Sequence, residues 1–145
     1  MCDLEIENLV PYEPAAINDV VEKYRNQIKN GETLDDVRIV RMAIEEQGEE
    51  IGMVMDGNNR VKALQLEGVT RVSVSNADLS NYDMDDVRWT FNKRLRDGMR
   101  GFSGLSLVDT AEQRKEMTNS EISERLNDEL LRNLQAAEGE DSEES

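Results

Sequence analysis

The sequence predicts an α+β fold, a small mixed β-sheet with helices packed on it, continued by a helical C-terminal extension. Three observations predict it. Short apolar runs of strand length recur between turn residues, at 3–7, 37–43, 51–55 and 71–75. Between and after them lie segments whose apolar residues recur at spacings of three and four, the period of one helix face. Finally, 145 residues with 37% hydrophobic side chains suffice for one modest core. The expected organisation is one domain over 1–80, a helical extension over 81–137, and an acidic tail without structure over 138–145.

The elements follow in order. Leu4 and Ile6 alternate with polar residues, a short strand signal. Pro11-Tyr12-Glu13-Pro14 breaks it. Ile17, Val20, Val21, Tyr24 and Ile28 then give a helix face over 15–30, with Gly31 placed to end it. Segments 37–43 and 51–55 read as two strands joined by the polar stretch 45–50, hence as a hairpin with a long loop. Asp56-Gly57 ends the second strand. Asn58 or Asn59 caps a helix to about Glu67, with Val61, Leu64 and Leu66 inward. Val72 and Val74 share one face of a further strand. Asp83 opens a helix to about Asp97, and Gly98, Gly101 and Gly104 form a joint after it. Asp109 with Glu112, and again Thr118 with Glu121, read as helix starts. The stripe Ile122, Leu126, Leu130, Leu131 and Leu134 runs from there to about Ala137.

Composition removes several chemistries. With one cysteine and no histidine, neither an intramolecular disulfide nor a histidine-dependent hydrolase fits the chain, and a zinc site lacks ligands. A general base must be Asp, Glu, Lys or Tyr, and a metal must be a hard ion such as Mg²⁺. The N-terminus shows neither the basic nor the apolar region of a leader, and no run approaches the ~18 apolar residues of a membrane span, so a cytoplasmic protein without membrane contact is expected. The net charge of −15 repels nucleic acid, so any such contact must use a local patch. Twelve arginines against five lysines, with so many carboxylates, match proteins that work in concentrated salt, where net charge says little about partners.

The candidate site is the strand–loop–helix segment around Asp56-Gly57-Asn58-Asn59-Arg60. The first N–H groups of a helix lack intrahelical acceptors, and the helix dipole makes their surroundings positive, so a phosphate is favoured there. Gly57 permits close backbone approach, and Arg60 can offer a guanidinium fork to phosphate. Asp56 can hold Mg²⁺ or accept a proton. The same residues also read as ordinary turn and cap chemistry, with Arg60 paired to a carboxylate and Glu13 a solvated acid. An exposed first-turn arginine contributes little to folding, so Arg60→Ala is expected to remove binding at little cost in stability.

These features resemble the ParB/sulfiredoxin-like superfamily over about residues 3–78. The likeness rests on Leu9-Val10-Pro11-Tyr12-Glu13 before a helix, on the Asp56-Gly57-Asn58-Asn59-Arg60 loop followed by Val61-Lys62-Ala63-Leu64, and on the glycine turn from Leu66 to the strand at Val74. The resemblance implies a nucleoside triphosphate or diphosphate (CTP, or ATP/ADP) with Mg²⁺, its phosphates over Gly57, Asn58, Asn59 and Arg60. Family activities include CTP hydrolysis in partition proteins, sulfinic acid reduction in sulfiredoxins and phosphorylation of free serine; nuclease activity has been claimed for others. Asn58 and Asn59 replace the cysteine and histidine of sulfiredoxins, which removes that activity. The loop glutamate of partition proteins is missing, as is a helix-turn-helix after residue 80. The serine kinases match at Asp56, Gly57 and Arg60, with Glu13 where they carry a glutamate, but both loop histidines are Asn here.

On this resemblance the chain is expected to be a nucleotide-binding protein in DNA-associated work, such as plasmid, phage or virus maintenance or gene regulation. The alternatives are a small-molecule kinase or phosphohydrolase using Asp56 or Glu13 as base, and an interaction module without nucleotide. Arg88, Lys93, Arg94, Arg96 and Arg100, interleaved with Trp89 and Phe91, form the one basic stretch and the candidate contact for DNA or phosphate. Such a helix can equally pack on the core and neutralise acidic neighbours. In related chains the helix after the domain can reach the nucleotide, which makes Arg88 and Asn92 candidates. The apolar stripe of helix 119–137 suits packing on the domain or a homodimer.

Overall fold

The computed structural model describes the backbone of residues 2–44 and 49–144 and the side chains of residues 2–42 and 50–137. Most of the predicted polar turn 45–50 lies outside the described residues. The elements are β1 (Cys2–Glu5), β2 (Leu9–Pro11), β3 (Ala15–Ile17), α1 (Asn18–Lys29), β4 (Val37–Ile44), β5 (Glu49–Asp56), α2 (Asn58–Leu66), β6 (Arg71–Asn76), α3 (Met84–Arg96), β7 (Ser106–Val108) and α4 (Ala111–Glu144). The expected class holds: this is a mixed α+β structure with a helical C-terminal segment.

The main sheet has the order β1-β6-β4-β5-β2. β4 and β5 form the predicted antiparallel hairpin, with Val40 opposite Met53 and Ile44 opposite Glu49. β6 lies parallel to β4 and antiparallel to β1, and β2 lies parallel to β5. Alternation along the strands feeds two cores. Leu9, Ile39, Val54 and Val74 point to the side where Val21 of α1 and Val61 and Ala63 of α2 pack. Val10, Val40, Met53 and Met55 point to the opposite side, against Val87 and Phe91 of α3. The sheet is therefore covered by α1 and α2 on one face and by α3 on the other. Gly52 is needed between the layers, since a Cβ there would stand 2.9 Å from Ile39 Cδ1 and 3.0 Å from Leu9 Cδ2.

Several sequence expectations are corrected. Residues 15–17 do not open the helix; they form β3, parallel to β7, with Ala15 opposite Ser106. Their backbone is satisfied by a strand far along the chain, which local periodicity cannot reveal. A second strand, β2, lies at Leu9–Pro11, so of the predicted break 11–14 only residues 12–14 interrupt the strands. Pro11 is tolerated because β2 ends the sheet order, where its missing N–H is not needed. The two helix starts near Asp109 and Thr118 reduce to one. Thr110 Oγ1 accepts from Gln113 N at 3.1 Å, and Gln113 Oε1 accepts from Thr110 N at 3.0 Å, a capping box one residue beyond the predicted pair. Thr118 sits inside the helix and donates back to Arg114 O at 3.1 Å. α4 continues to Glu144, past the end expected near Ala137. By contrast the helix expected over 83–97 is present, and Asp83 caps it, accepting from Asp85 N at 2.9 Å. Among the described residues, no helix is long and apolar enough to cross a membrane.

Candidate functional site

Glu13, Asp56, Gly57, Asn58, Asn59 and Arg60 line one cleft of about 230 Å³, together with Tyr24, Met55 and Arg114. The floor is the end of β5 and the first turn of α2. Gly57 makes the turn at φ 107°, and a Cβ there would lie 2.5 Å from Val37 Cγ1. It, not an asparagine, is the N-cap residue of α2, and it gives no side-chain cap. The N–H groups of Asn58, Asn59 and Arg60 thus have no intrahelical acceptor and no capping oxygen beside them.

The asparagine side chains do something other than what the sequence suggested. Asn58 is 5% exposed; its Oδ1 accepts from Tyr12 N at 3.1 Å, and its Nδ2 donates to Val54 O at 2.9 Å. Asn59 Oδ1 accepts from Ile17 N at 2.9 Å. These bonds stitch segment 12–17 onto the first turn of α2 and so hold Glu13 at the cleft. Within it, Asn58 and Asn59 can present main-chain donors, since their side-chain oxygens are already engaged.

Arg60 also departs from expectation. Its side chain is 12% exposed, and its Nη1 donates to Asp36 O at 3.0 Å and Asp35 O at 3.2 Å. Its Nη2 lies 3.4 Å from Asp56 Oδ2. It ties α2 to the loop before β4, so the expectation of an exposed, structurally idle arginine is wrong. The freer cation is Arg114, which sequence reasoning missed. It stands in the first turns of α4, and its Nε is 3.9 Å from Glu13 Oε2, a loose, partly exposed pair. No local pattern marks Arg114; the packing of α4 beside β3 brings it in. Tyr24, predicted as a core residue of α1, forms another wall.

The cleft offers two carboxylates, Glu13 and Asp56, the latter's side chain 63% exposed. Among the described residues there is no group of three or more Asp, Glu, His or Cys able to hold a metal. One or two carboxylates are what Mg²⁺ uses when phosphate oxygens and water complete its shell. Asp56 and Glu13 therefore fit Mg²⁺ that arrives with a phosphate, and do not make a metal cage by themselves.

The basic stretch is distributed differently. α3 lies on the opposite face of the sheet from α2, so Arg88 and Asn92 do not reach the cleft; they line a separate cavity of about 320 Å³ beside Trp89 and Arg132. Arg94 is fully buried. Its guanidinium pairs with both carboxylate oxygens of Glu121 and donates to Tyr12 O at 2.7 Å. It cannot touch a nucleic acid. Lys93 pairs with Glu124 at 3.3 Å and Asp97 at 3.5 Å, Arg88 pairs with Asp85 at 2.7 Å, and Arg100 donates to Glu7 O at 3.0 Å. Arg96 is exposed. The reading of α3 as a helix that neutralises acidic neighbours describes these contacts.

Tyr12 is the hub between α3 and the cleft. Its hydroxyl donates to Asp86, whose Oδ1 lies 3.3 Å from Arg125 Nε of α4. Burial, and then the Asp86 carboxylate, push the phenol well above its ordinary value of 10.0.

No family model matches the chain, and no curated protein matches it. Among solved structures it is similar to protein Atu1540 from Agrobacterium tumefaciens, at 22% identity and a TM-score of 0.46. That similarity covers 65% of this chain and 47% of the other, so this chain spans about half the length of that protein.

Proposed function

We propose that the chain binds a phosphate-bearing ligand of the nucleotide class in the cleft at the start of α2. A phosphate accepts from the N–H groups of Asn58, Asn59 and Arg60, Arg114 closes over it, and Asp56 with Glu13 serves a Mg²⁺ ion carried by the ligand. One observation carries this reading: Glu13 and residues 56–60, distant in sequence, line the same cleft as uncapped helix N–H groups and a loosely paired arginine. The ligand has to displace only the 3.9 Å contact of Arg114 with Glu13, whereas Arg60 keeps its backbone bonds. DNA contact through 88–100 is not part of the proposal, because most of those cations are already paired.

The test is calorimetric titration of CTP, ATP, ADP and GTP with Mg²⁺, in low and in molar salt, beside Arg114→Ala. Saturable heat with one nucleotide, lost in the variant at unchanged thermal stability, supports the site. Absence of heat with every nucleotide in both salts refutes it. Equal binding in wild type and Arg114→Ala moves the ligand elsewhere. A second reading, an interaction module without nucleotide, draws on the side chains of Asn58 and Asn59, which serve the fold rather than the cleft; it predicts the second outcome.

A further inference from the structure

Helix α4 divides its residues in an unusual way. Between Asn119 and Ala137 it carries six charged side chains, Glu121, Glu124, Arg125, Asp128, Glu129 and Arg132. All six face the domain. Glu121 pairs with Arg94, Glu124 with Lys93, and Arg125 with Asp86; Asp128 accepts from Trp89 Nε1 at 2.9 Å. Glu129 and Arg132 line the cavity shared with Arg88 and Trp89. The outward side therefore holds no charge. It carries Leu126, Leu130 and Leu134, 51–55% exposed, with Asn119, Ser123, Asn127 and Asn133 among them; Ile122, 42% exposed, and Leu131 lie at its two margins and also line cavities against the domain. A solvated helix shows the reverse pattern, apolar inward and charged outward. On a chain in which 34% of residues are charged, a charge-free leucine strip marks a surface meant to be covered.

We infer that a second copy of this chain covers it, through an antiparallel, two-fold pairing of α4 with α4. The chain is charged −15, so two copies repel wherever carboxylates meet. Between Asn119 and Ala137 the outer face of α4 lets them approach with no charge between them. The strip is also self-complementary: a two-fold axis at position 128 sets Ile122 against Leu134 and Leu126 against Leu130, as an isologous contact requires. Polarity decides the direction. Residues 138–145 hold five carboxylates, Glu138, Glu140, Asp141, Glu143 and Glu144. A parallel pair would set those two acidic ends side by side; an antiparallel pair sends them to opposite ends.

The strip runs thirteen residues from Ile122 to Leu134, roughly 18 Å at 1.5 Å per residue, and one helix face of that length covers less than the ~800 Å² per partner of a standard interface. The dimer is therefore concentration-dependent, and salt strengthens it by screening the net charge. Sedimentation equilibrium of the full chain, in low and in molar salt, reads this directly. Wild type should move from one to two chain masses as concentration rises, more readily in molar salt. Leu126→Glu with Leu130→Glu should stay at one mass while circular dichroism keeps the helical signal. Direction is read by oxidation in a Cys2→Ser background. Asn127→Cys places the two thiols about 3 Å apart along the axis, and Ala137→Cys about 27 Å apart, beyond the ~7 Å Cα reach of a disulfide. Cross-linking of the first and not the second is the expected result. A wild type monomeric at every concentration, a dimer that survives both glutamates, or equal cross-linking of both cysteines overturns the proposal.

Discussion

Replacing Glu121 by alanine isolates the contact that fixes α4 to the domain. Arg94 is wholly buried, whereas the side chain of Glu121 is 17% exposed. The guanidinium has as partners both Glu121 oxygens and Tyr12 O, and its Nε already lacks a partner. Without Glu121 a buried cation keeps one carbonyl. Breaking a buried pair from one side costs about 3–5 kcal/mol, because the remaining charge is uncompensated. At about 3 °C per kcal/mol for a chain of this size, that lowers Tm by roughly 10–15 °C. The mirror variant, Arg94→Met, should cost less, because the carboxylate it leaves can rehydrate through its exposed edge. Glu121→Met combined with Arg94→Met should recover part of the loss, since apolar replacement of a buried pair is often neutral. Thermal unfolding followed by circular dichroism gives the three values. Trp89 adds a local reporter: it is the sole tryptophan and its indole bonds to Asp128 on α4, so its emission follows whether that helix stays docked. A Tm within 3 °C of wild type for Glu121→Ala, with unchanged Trp89 emission, would refute the view that this pair holds α4 in place.

Three further outcomes follow from the same geometry. Arg60→Ala removes charge-assisted bonds to Asp35 O and Asp36 O and should cost about 2–3 kcal/mol in urea unfolding, whereas Arg114→Ala should stay within about 0.5 kcal/mol; equal values would mean that Arg60 is idle. Gly57→Ala forces a side chain into a left-handed turn 2.5 Å from Val37 Cγ1 and should lose about 2 kcal/mol or more, visible as a lower urea midpoint. Tyr12 holds its proton more tightly folded than unfolded, so its contribution is complete below the ordinary value of 10.0 and is lost as pH rises beyond it. Absorbance titration should show Asp86→Asn bringing that ionisation to lower pH; no change would deny the Asp86 contact.

What was legible in the sequence was what neighbours in sequence decide. Asp83 caps α3 because its carboxylate reaches an N–H two residues on. The 4–5 hairpin shows in its alternating apolar residues, and Gly57 marks the strand–helix turn. What failed depended on distant partners. Nothing near residues 15–17 announces pairing with Ser106–Val108. Asn58 and Asn59 are good cap residues by type, yet Gly57 takes the cap position and their side chains bond Tyr12 N, Val54 O and Ile17 N instead. Arg94 could have been read correctly. It falls three residues after Phe91 and seven after Val87, on the buried face of α3, a spacing that places it inside rather than among the surface cations.

The cleft and the latch belong to one mechanical unit. Tyr12 N is bonded to Asn58 Oδ1 and Val54 O, its carbonyl to Arg94, and its hydroxyl to Asp86. Through Arg94 and Asp86 it reaches Glu121 and Arg125 of α4. Glu13, the next residue, faces Arg114 of that same helix. Arg114 therefore enters the cleft only while α4 is docked, and α4 is docked on this side largely by polar groups, with Leu126, Leu130 and Leu134 more than half exposed. A helix held by ion pairs and a few hydrogen bonds leaves its far apolar side free, which no helix buried in a core can do. The same choice of contacts that puts a cation over the start of α2 leaves the strip from Ile122 to Leu134 for a second chain.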